Sequence, residues 1–154
     1  MLKRLNLGCG NDYKNGFVNL DCGNCKKDVD HNIENTPYPF GDNEFELVFA
    51  QHVLEHVSKE NFVNVVRELY RICANGATIQ VAVPHGRSNN FLTDFTHKMP
   101  FTTRTFDFFD DSKPLRENGL IYGCGDIKLK VLTAMEAENL PNGPDIRFVL
   151  QVIK

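Results

Sequence analysis

The stretch Arg4-Leu5-Asn6-Leu7-Gly8-Cys9-Gly10-Asn11-Asp12 decides the fold. Arg4 to Leu7 reads as a short strand. The paired glycines after it read as a tight turn, because glycine adopts backbone angles that other residues resist. Phe17-Val18-Asn19-Leu20 reads as a second strand, ended by Asp21. About six residues separate the turn from this strand, too few for a full helix between parallel strands. The first crossover helix is therefore expected to be abbreviated, with room for a single helical turn.

Working outward, Lys27 to Asp30 is a weaker strand candidate, followed by the turn-rich run from Asn35 to Asn43. Phe45-Glu46-Leu47-Val48-Phe49-Ala50 is nearly continuous in apolar residues, the pattern of a central strand buried on both faces. Ser58 stands where a helix N-cap belongs, and Phe62, Val65, Val66, Leu69, Tyr70 and Cys73 recur at three and four residues. Asn75-Gly76 is expected to stop that helix, and Ala77 to Val83 to form the next buried strand, ended by Pro84. Residues 127–135 and 145–153 read as two strands joined closely through Asn139 to Pro144, so they must pair antiparallel. The fold class is α/β: a mostly parallel sheet with an antiparallel C-terminal hairpin at one edge, in one domain over 1–154.

At 154 residues, with 42% hydrophobic residues and twelve phenylalanines, the chain is long enough to bury one real core. A net charge of −3 offers no basic footprint, so nucleic acid is not favoured as a partner. No apolar run approaches the roughly 20 residues that cross a bilayer, and the first residues lack a signal peptide's apolar core. No membrane partner and a cytoplasmic location are therefore expected. The five cysteines, Cys9, Cys22, Cys25, Cys73 and Cys124, are an odd set that argues against a disulfide framework. Cys22-Gly-Asn-Cys25 lacks a second ligand pair to complete a zinc site and reads as a turn.

Two features carry chemistry. The order strand, Gly8-x-Gly10, strand, Asp21 is the layout of a nucleotide-type site: glycines let a ligand approach the backbone, and a carboxylate accepts hydrogen bonds from a ribose diol. Tyr13 stands where a dinucleotide site needs a third glycine, and the acid comes sooner than the roughly 20 residues such a site expects. The second feature is His52-Val53-Leu54-Glu55-His56, which reads as H-x-x-E-H, an inverted zinc-protease signature. That reading needs both histidines on one helix face, yet the pentapeptide directly follows a buried strand and the next helix starts only at Ser58.

Taken together, Leu5 to Asn11, the strand end Asn19-Leu20-Asp21, Tyr38 to Val48 and His52 to His56 resemble the small class I S-adenosylmethionine-dependent methyltransferases. The resemblance spans roughly the first 85 residues and implies a Rossmann-like three-layer sandwich with S-adenosyl-L-methionine as cofactor. It implies that Gly8 and Gly10 pass under the methionine part, that Asp21 holds the ribose hydroxyls, and that Asp30 with His31 contacts adenine. Gln51 and His52 would lie beside the sulfonium and the acceptor. Leu7, Cys9, Asn11 and Cys22, flanking these positions, complete the expected cofactor-binding set. Asp12 stands where a third glycine is common in such enzymes.

Methyl transfer from a sulfonium is an in-line displacement in which the protein chiefly aligns the acceptor. A base is needed only where the acceptor loses a proton. His52, His85, Asp94 and His97 are the catalytic candidates, and the stretch Asp94-Phe95-Thr96-His97 resembles one found in relatives of this type. No D/N-P-P-Y/F run follows the fourth strand, which argues against methylation of exocyclic adenine or glutamine amide nitrogen. Phe101, Phe106, Phe108 and Phe109 read as core packing in preference to a pocket wall. The long segment from His85 to Gly125 is where substrate selection is expected, with a short helix near 102–110.

The expectation is thus a methyltransferase acting on an unidentified acceptor, a small molecule or sugar in preference to nucleic acid, with no metal and with room for a homodimer. The alternatives are a non-catalytic S-adenosylmethionine-binding module and a zinc hydrolase using His52 and His56. Within the first reading, replacing His52 should harm activity more than replacing His56.

Overall fold

The computed structural model describes residues 1–137 and 141–154. Strands β1 (Lys3–Leu7), β2 (Val18–Asp21), β3 (Val29–Asp30) and β4 (Phe45–Gln51) come first. Helix α1 (Lys59–Ile72) and strand β5 (Cys73–Pro84) follow. Short helices α2 (Asn89–Thr93) and α3 (Arg116–Ile121) and strands β6 (Leu129–Ala137) and β7 (Asp145–Val152) complete the chain. Two 3-10 turns, Leu54–His56 and Thr105–Phe109, lie between these elements. Part of the expected hairpin loop, Asn139 and Leu140, falls outside the described residues.

The strands form one sheet in the order β3-β2-β1-β4-β5-β7-β6, parallel from β3 to β5 and antiparallel at β7 and β6. This is the expected mostly parallel sheet with a C-terminal hairpin edge. The strand order runs outward in both directions from the β1/β4 junction, so the carboxyl ends of these two strands open the crevice where α/β sheets bind ligands.

Register explains which residues make the core. Leu5 pairs with Val48 and Leu7 with Ala50; Val48 with Ile79 and Ala50 with Val81; Ile79 with Leu150 and Val81 with Phe148. Residues side by side in a sheet share a face, and all of these are buried. Helix α1 covers that face with Phe62, Val65, Val66, Leu69 and Ile72, the stripe legible in the sequence. Phe106 packs edge-on against Phe148 with centroids 4.9 Å apart and reaches Phe62 at 6.0 Å. Phe101, Phe106 and Phe109 are therefore core, as expected. Phe108 is half-buried and helps line an apolar cavity of about 490 Å³ with Met99, Pro100 and Leu115.

The opposite face is covered more thinly. No helix links β1 to β2, so the first crossover is shorter than even the single helical turn that was expected. Phe17 stacks on Phe49 at 5.2 Å in place of that helix, while Gln80 and Arg147 on the same face stay exposed. Two expected helix signals also act differently. Ser58 occupies the N-cap of α1 without a capping side-chain bond; its own N–H donates to the Glu34 carboxylate. The helix ends at Ile72, and Gly76, at φ +79°, turns the chain within β5. Among the described residues, no helix is long and apolar enough to cross a membrane.

A buried charge network pins the connection before β4. Glu68 is 7% exposed. It accepts the Tyr38 N–H at 2.7 Å and two Arg71 nitrogens at 2.8 and 2.9 Å, while Arg71 also donates to Asp42 at 2.6 Å and to the Phe40 carbonyl at 3.0 Å. Burial pushes the Glu68 carboxyl up, but Arg71 and the Tyr38 amide outweigh it and hold it below the ordinary value of 4.5. A carboxyl lowered in this way stabilises the fold above its unfolded pKa and loses that contribution as pH falls through the folded one. Glu68→Ala is expected to cost about 2–3 kcal/mol at pH 7, since it strips a partner from a part-buried guanidinium and from a buried amide. Urea unfolding at pH 7 and pH 3.5 checks this: the gap between wild type and variant should narrow at the lower pH, and an equal gap at both would contradict it.

Candidate active site

The glycine turn after β1 takes the conformation its residues demanded. Gly8 has φ +65° and Gly10 φ +47°, both in the left-handed region. A Cβ on Gly8 would lie 2.2 Å from Val53 Cγ2, so the glycine is required by close approach as well as by angle. A Cβ on Gly10 would meet nothing within 4 Å. Two buried asparagines hold the turn where a crossover helix is missing. Asn6 Nδ2 donates to the Asp12 carbonyl at 2.7 Å and to Asn19 Oδ1 at 3.0 Å, and the same Oδ1 accepts the Lys14 N–H. Asp28 in turn accepts both the backbone and the side-chain N–H of Asn19.

Asp21, at the end of β2, faces this turn. Its Oδ2 accepts the Gly10 N–H at 2.8 Å and its Oδ1 the Gly23 N–H at 2.6 Å. Burial raises its pKa, yet the amides of Gly23, Gly10 and Cys22 and the charge of Lys27 outweigh that and hold it below the usual carboxylate value. The group is an ionised acceptor with lone pairs left over for a diol. Cys25, not Cys22, comes beside Cys9 and Asp21; burial, with Cys25 adding to it, pushes the Cys9 thiol up to about 11.

The other wall comes from the end of β4. His52 adopts φ +51°, a left-handed angle uncommon for a residue other than glycine. Its N–H donates to the Ala82 carbonyl at 2.8 Å. Val53 then packs on Gly8, Leu54 is fully buried, and Leu54–His56 forms one 3-10 turn. H-x-x-E-H is therefore not on an α-helix, and the one-turn helical histidine pair that a zinc protease needs is absent from it. His52 Nδ1 stands 3.4 Å from Glu55 Oε1, and Nε2 stands 3.5 Å from Asp145. The Glu55 contact raises the His52 pKa above its ordinary 6.5 against the lowering effect of burial.

Between the two walls lies a cleft of about 500 Å³, a size that suits a small ligand. Of the residues expected there, Gly8, Gly10, Asp21, Cys22, His31 and His52 line it. Leu7 and Cys9 are buried behind the turn, and Asn11 is exposed. Asp30 stands 3.5 Å from Lys27, and Gln51 borders a separate cavity of about 320 Å³ with Arg147. His85 does not reach the cleft: its Nδ1 accepts the Arg87 N–H and its Nε2 stands 3.5 Å from Glu136 on β6. Asp94 and His97 stand 3.6 Å apart, beside His56.

The cleft also contains Asn32, Ile33, Glu34, Thr96 and Lys98, which sequence reasoning did not assign, and His56, which it assigned only in the zinc reading. For His56 and Thr96 a signal existed, since both sit in quoted motifs. Their meeting depends on the Glu55 carbonyl accepting the amides of Lys98 at 2.7 Å and Met99 at 3.0 Å, which no spacing announces.

Comparison with known proteins agrees with this fold. Residues 8–81 match a family described as a methyltransferase domain. No curated protein matches the chain. Among solved structures, a proposed S-adenosylmethionine-dependent methyltransferase from Listeria monocytogenes is similar at TM-score 0.66 and 12% identity, over 99% of this chain and 92% of the other. A second such enzyme, from Archaeoglobus fulgidus, is similar at 0.60 and 16%, over 97% and 86%. The 1,6-didemethyltoxoflavin-N1-methyltransferase of Burkholderia thailandensis, solved with 1,6-didemethyltoxoflavin and S-adenosylhomocysteine bound, is similar at 0.62 and 8%, over 98% and 71%. These likenesses show the fold, and the domain match starts on the glycine turn and ends in β5. Residues 8–81 thus carry a methyltransferase-domain match, and the chain shares the Rossmann-like fold of solved S-adenosylmethionine-dependent methyltransferases.

Proposed function

We propose that the chain transfers a methyl group to a small-molecule or sugar acceptor held in the cleft between the glycine turn and His52. The observation that carries this reading is the shared cleft: Gly8, Gly10 and Asp21 line one side, and His52, His56, Thr96 and Lys98 the other. The residues present fit the cofactor. Gly8 and Gly10 leave the backbone bare, the ionised Asp21 can accept a ribose diol, and His31, Asn32 and Ile33 border the end where a base would lie. Bound there, S-adenosylmethionine supplies a methyl group already activated on a sulfonium.

The chain's own residues then have positional tasks. Val53 fixes the distance between the two walls by packing on Gly8. His52, half-exposed at the strand end, is placed to take a proton from an acceptor hydroxyl, with Glu55 and Asp145 steadying the imidazolium that results. An acceptor of modest size matches a cleft of about 500 Å³, and the net charge of −3 argues against a polyanion.

Calorimetric titration with S-adenosylmethionine, followed by mass spectrometry of a panel of hydroxylated small molecules and sugars, tests the proposal. Binding and one methylated product are expected. His52→Ala should retain cofactor binding while product formation falls about a hundredfold or more, the range for loss of a general base. Binding without turnover across the panel would favour a non-catalytic binding module, and no binding would end both readings.

A further inference from the structure

We propose that Glu55, His56 and His97 form a site for one divalent transition-metal cation at the edge of the cleft. Ligand atoms of these three residues lie within 4.8 Å of one another. Glu55 is 1% exposed, and its Oε2 has no hydrogen-bond partner among the described residues. A buried carboxylate oxygen left unpaired is costly, and a bound cation removes that cost.

The hydrogen bonds around the two imidazoles point the same way. His56 Nδ1 faces the Thr96 carbonyl at 3.4 Å and Thr96 Oγ1 at 3.0 Å. That hydroxyl donates its own proton to Asp94 Oδ1 at 2.6 Å, so toward His56 it can only accept. His97 Nδ1 faces the Phe91 carbonyl at 3.2 Å, again an acceptor. Both rings therefore carry their hydrogen on Nδ1 and offer the Nε2 lone pair, a tautomer assigned from the network. Metal-binding histidines show this pattern, with the distal N–H held by a carbonyl or carboxylate.

Asp94 Oδ2 stands 3.6 Å from His97 Nε2 but lies outside the three-residue cluster. Two imidazoles with one carboxylate suit zinc, manganese, cobalt or iron in the divalent state in preference to calcium. The ligand set is not that of the H-x-x-E-H zinc reading. His52 is left out, and its partner His97 arrives from a distant segment fixed by the two amides on the Glu55 carbonyl. His56 and Thr96 line the cleft itself, so the remaining coordination positions face the side where an acceptor would sit. Resting on the methyl-transfer reading, the cation would hold an oxygen of the acceptor, which names the substrate class as a hydroxyl compound. The cation site itself does not need that reading.

Full-length protein is stripped with chelator, dialysed against Zn²⁺ and counted by elemental analysis, in a Cys25→Ser background so that the Cys9 and Cys25 thiols do not report. One Zn²⁺ per chain is expected, with affinity at least about a hundredfold lower in His56→Ala and in His97→Ala. Circular dichroism confirms that each variant is folded. Glu55→Gln, which keeps shape and loses charge, provides a third variant with the same expected loss. Absence of stoichiometric Zn²⁺, or wild-type affinity in both histidine variants, overturns the site. Cofactor titration of the same samples separates the two claims: Zn²⁺ binding without S-adenosylmethionine binding would sink the methyl-transfer reading and leave the cation site standing.

Discussion

Asp21→Ala is expected to weaken S-adenosylmethionine binding by about 30- to 1000-fold. Hydrogen bonds to an ionised acceptor contribute about 1.5–3 kcal/mol each, and a ribose diol offers two. Allowing for water that replaces part of the loss leaves about 2–4 kcal/mol, at roughly 1.4 kcal/mol per tenfold. The carboxylate has a second task, since it accepts the amides of Gly10 and Gly23 and so shapes the turn proposed to carry the cofactor. Asp21→Asn should do nearly as much harm, because its amide group would present a donor to backbone donors. Isothermal calorimetry at pH 7 is the measurement, and a change smaller than threefold in both variants would remove Asp21 from the cofactor site.

Gly8→Ala is the second large effect. A left-handed angle costs an alanine about 1–2 kcal/mol, and a Cβ placed 2.2 Å from Val53 Cγ2 forces one wall of the cleft away from the other. Overpacking adds about 1–3 kcal/mol, so a stability loss of about 2–5 kcal/mol is expected, together with loss of cofactor binding. Gly10→Ala provides the contrast: its angle is also left-handed, but the space around it is open. It should lose only the conformational share. Chemical denaturation ranks the two, and Gly8→Ala/Val53→Gly should recover the steric part. Equal losses for Gly8→Ala and Gly10→Ala would mean that contact with Val53 does not set the cleft.

These expectations depend differently on sequence and on structure. That Gly8 and Gly10 make a turn after a strand was legible, because a glycine pair between two apolar runs is a local signal. That Gly8 must be glycine on account of Val53 was not, since the two residues meet only across the β1/β4 junction. The abbreviated crossover was visible as a short spacing. Its replacement by Asn6, Asn19 and Asp28, a buried hydrogen-bonded set, was not, because asparagines near turns have many uses. His85 and His97 were both candidates from the variable segment, with His97 singled out by its Asp94-Phe95-Thr96-His97 stretch. The fold sends His85 toward Glu136 and His97 toward Glu55, and side-chain direction in an irregular loop has no sequence period to reveal it.

The sequence by itself determined the succession of strands along the chain, the mostly parallel sheet with its hairpin edge, the α1 stripe, and the glycine turn with Asp21. Each of these rests on periodicity or on backbone angles, which act over a few residues. That H-x-x-E-H follows a strand end was also legible; only the tertiary structure decided that it closes in a 3-10 turn. It alone showed that Glu55 is buried with an oxygen that has no hydrogen-bond partner among the described residues, and that His56 meets Thr96, 40 positions away. Such meetings are set by the packing of whole elements, whose free energy is summed over the core and leaves no mark on the spacing of the residues it brings together.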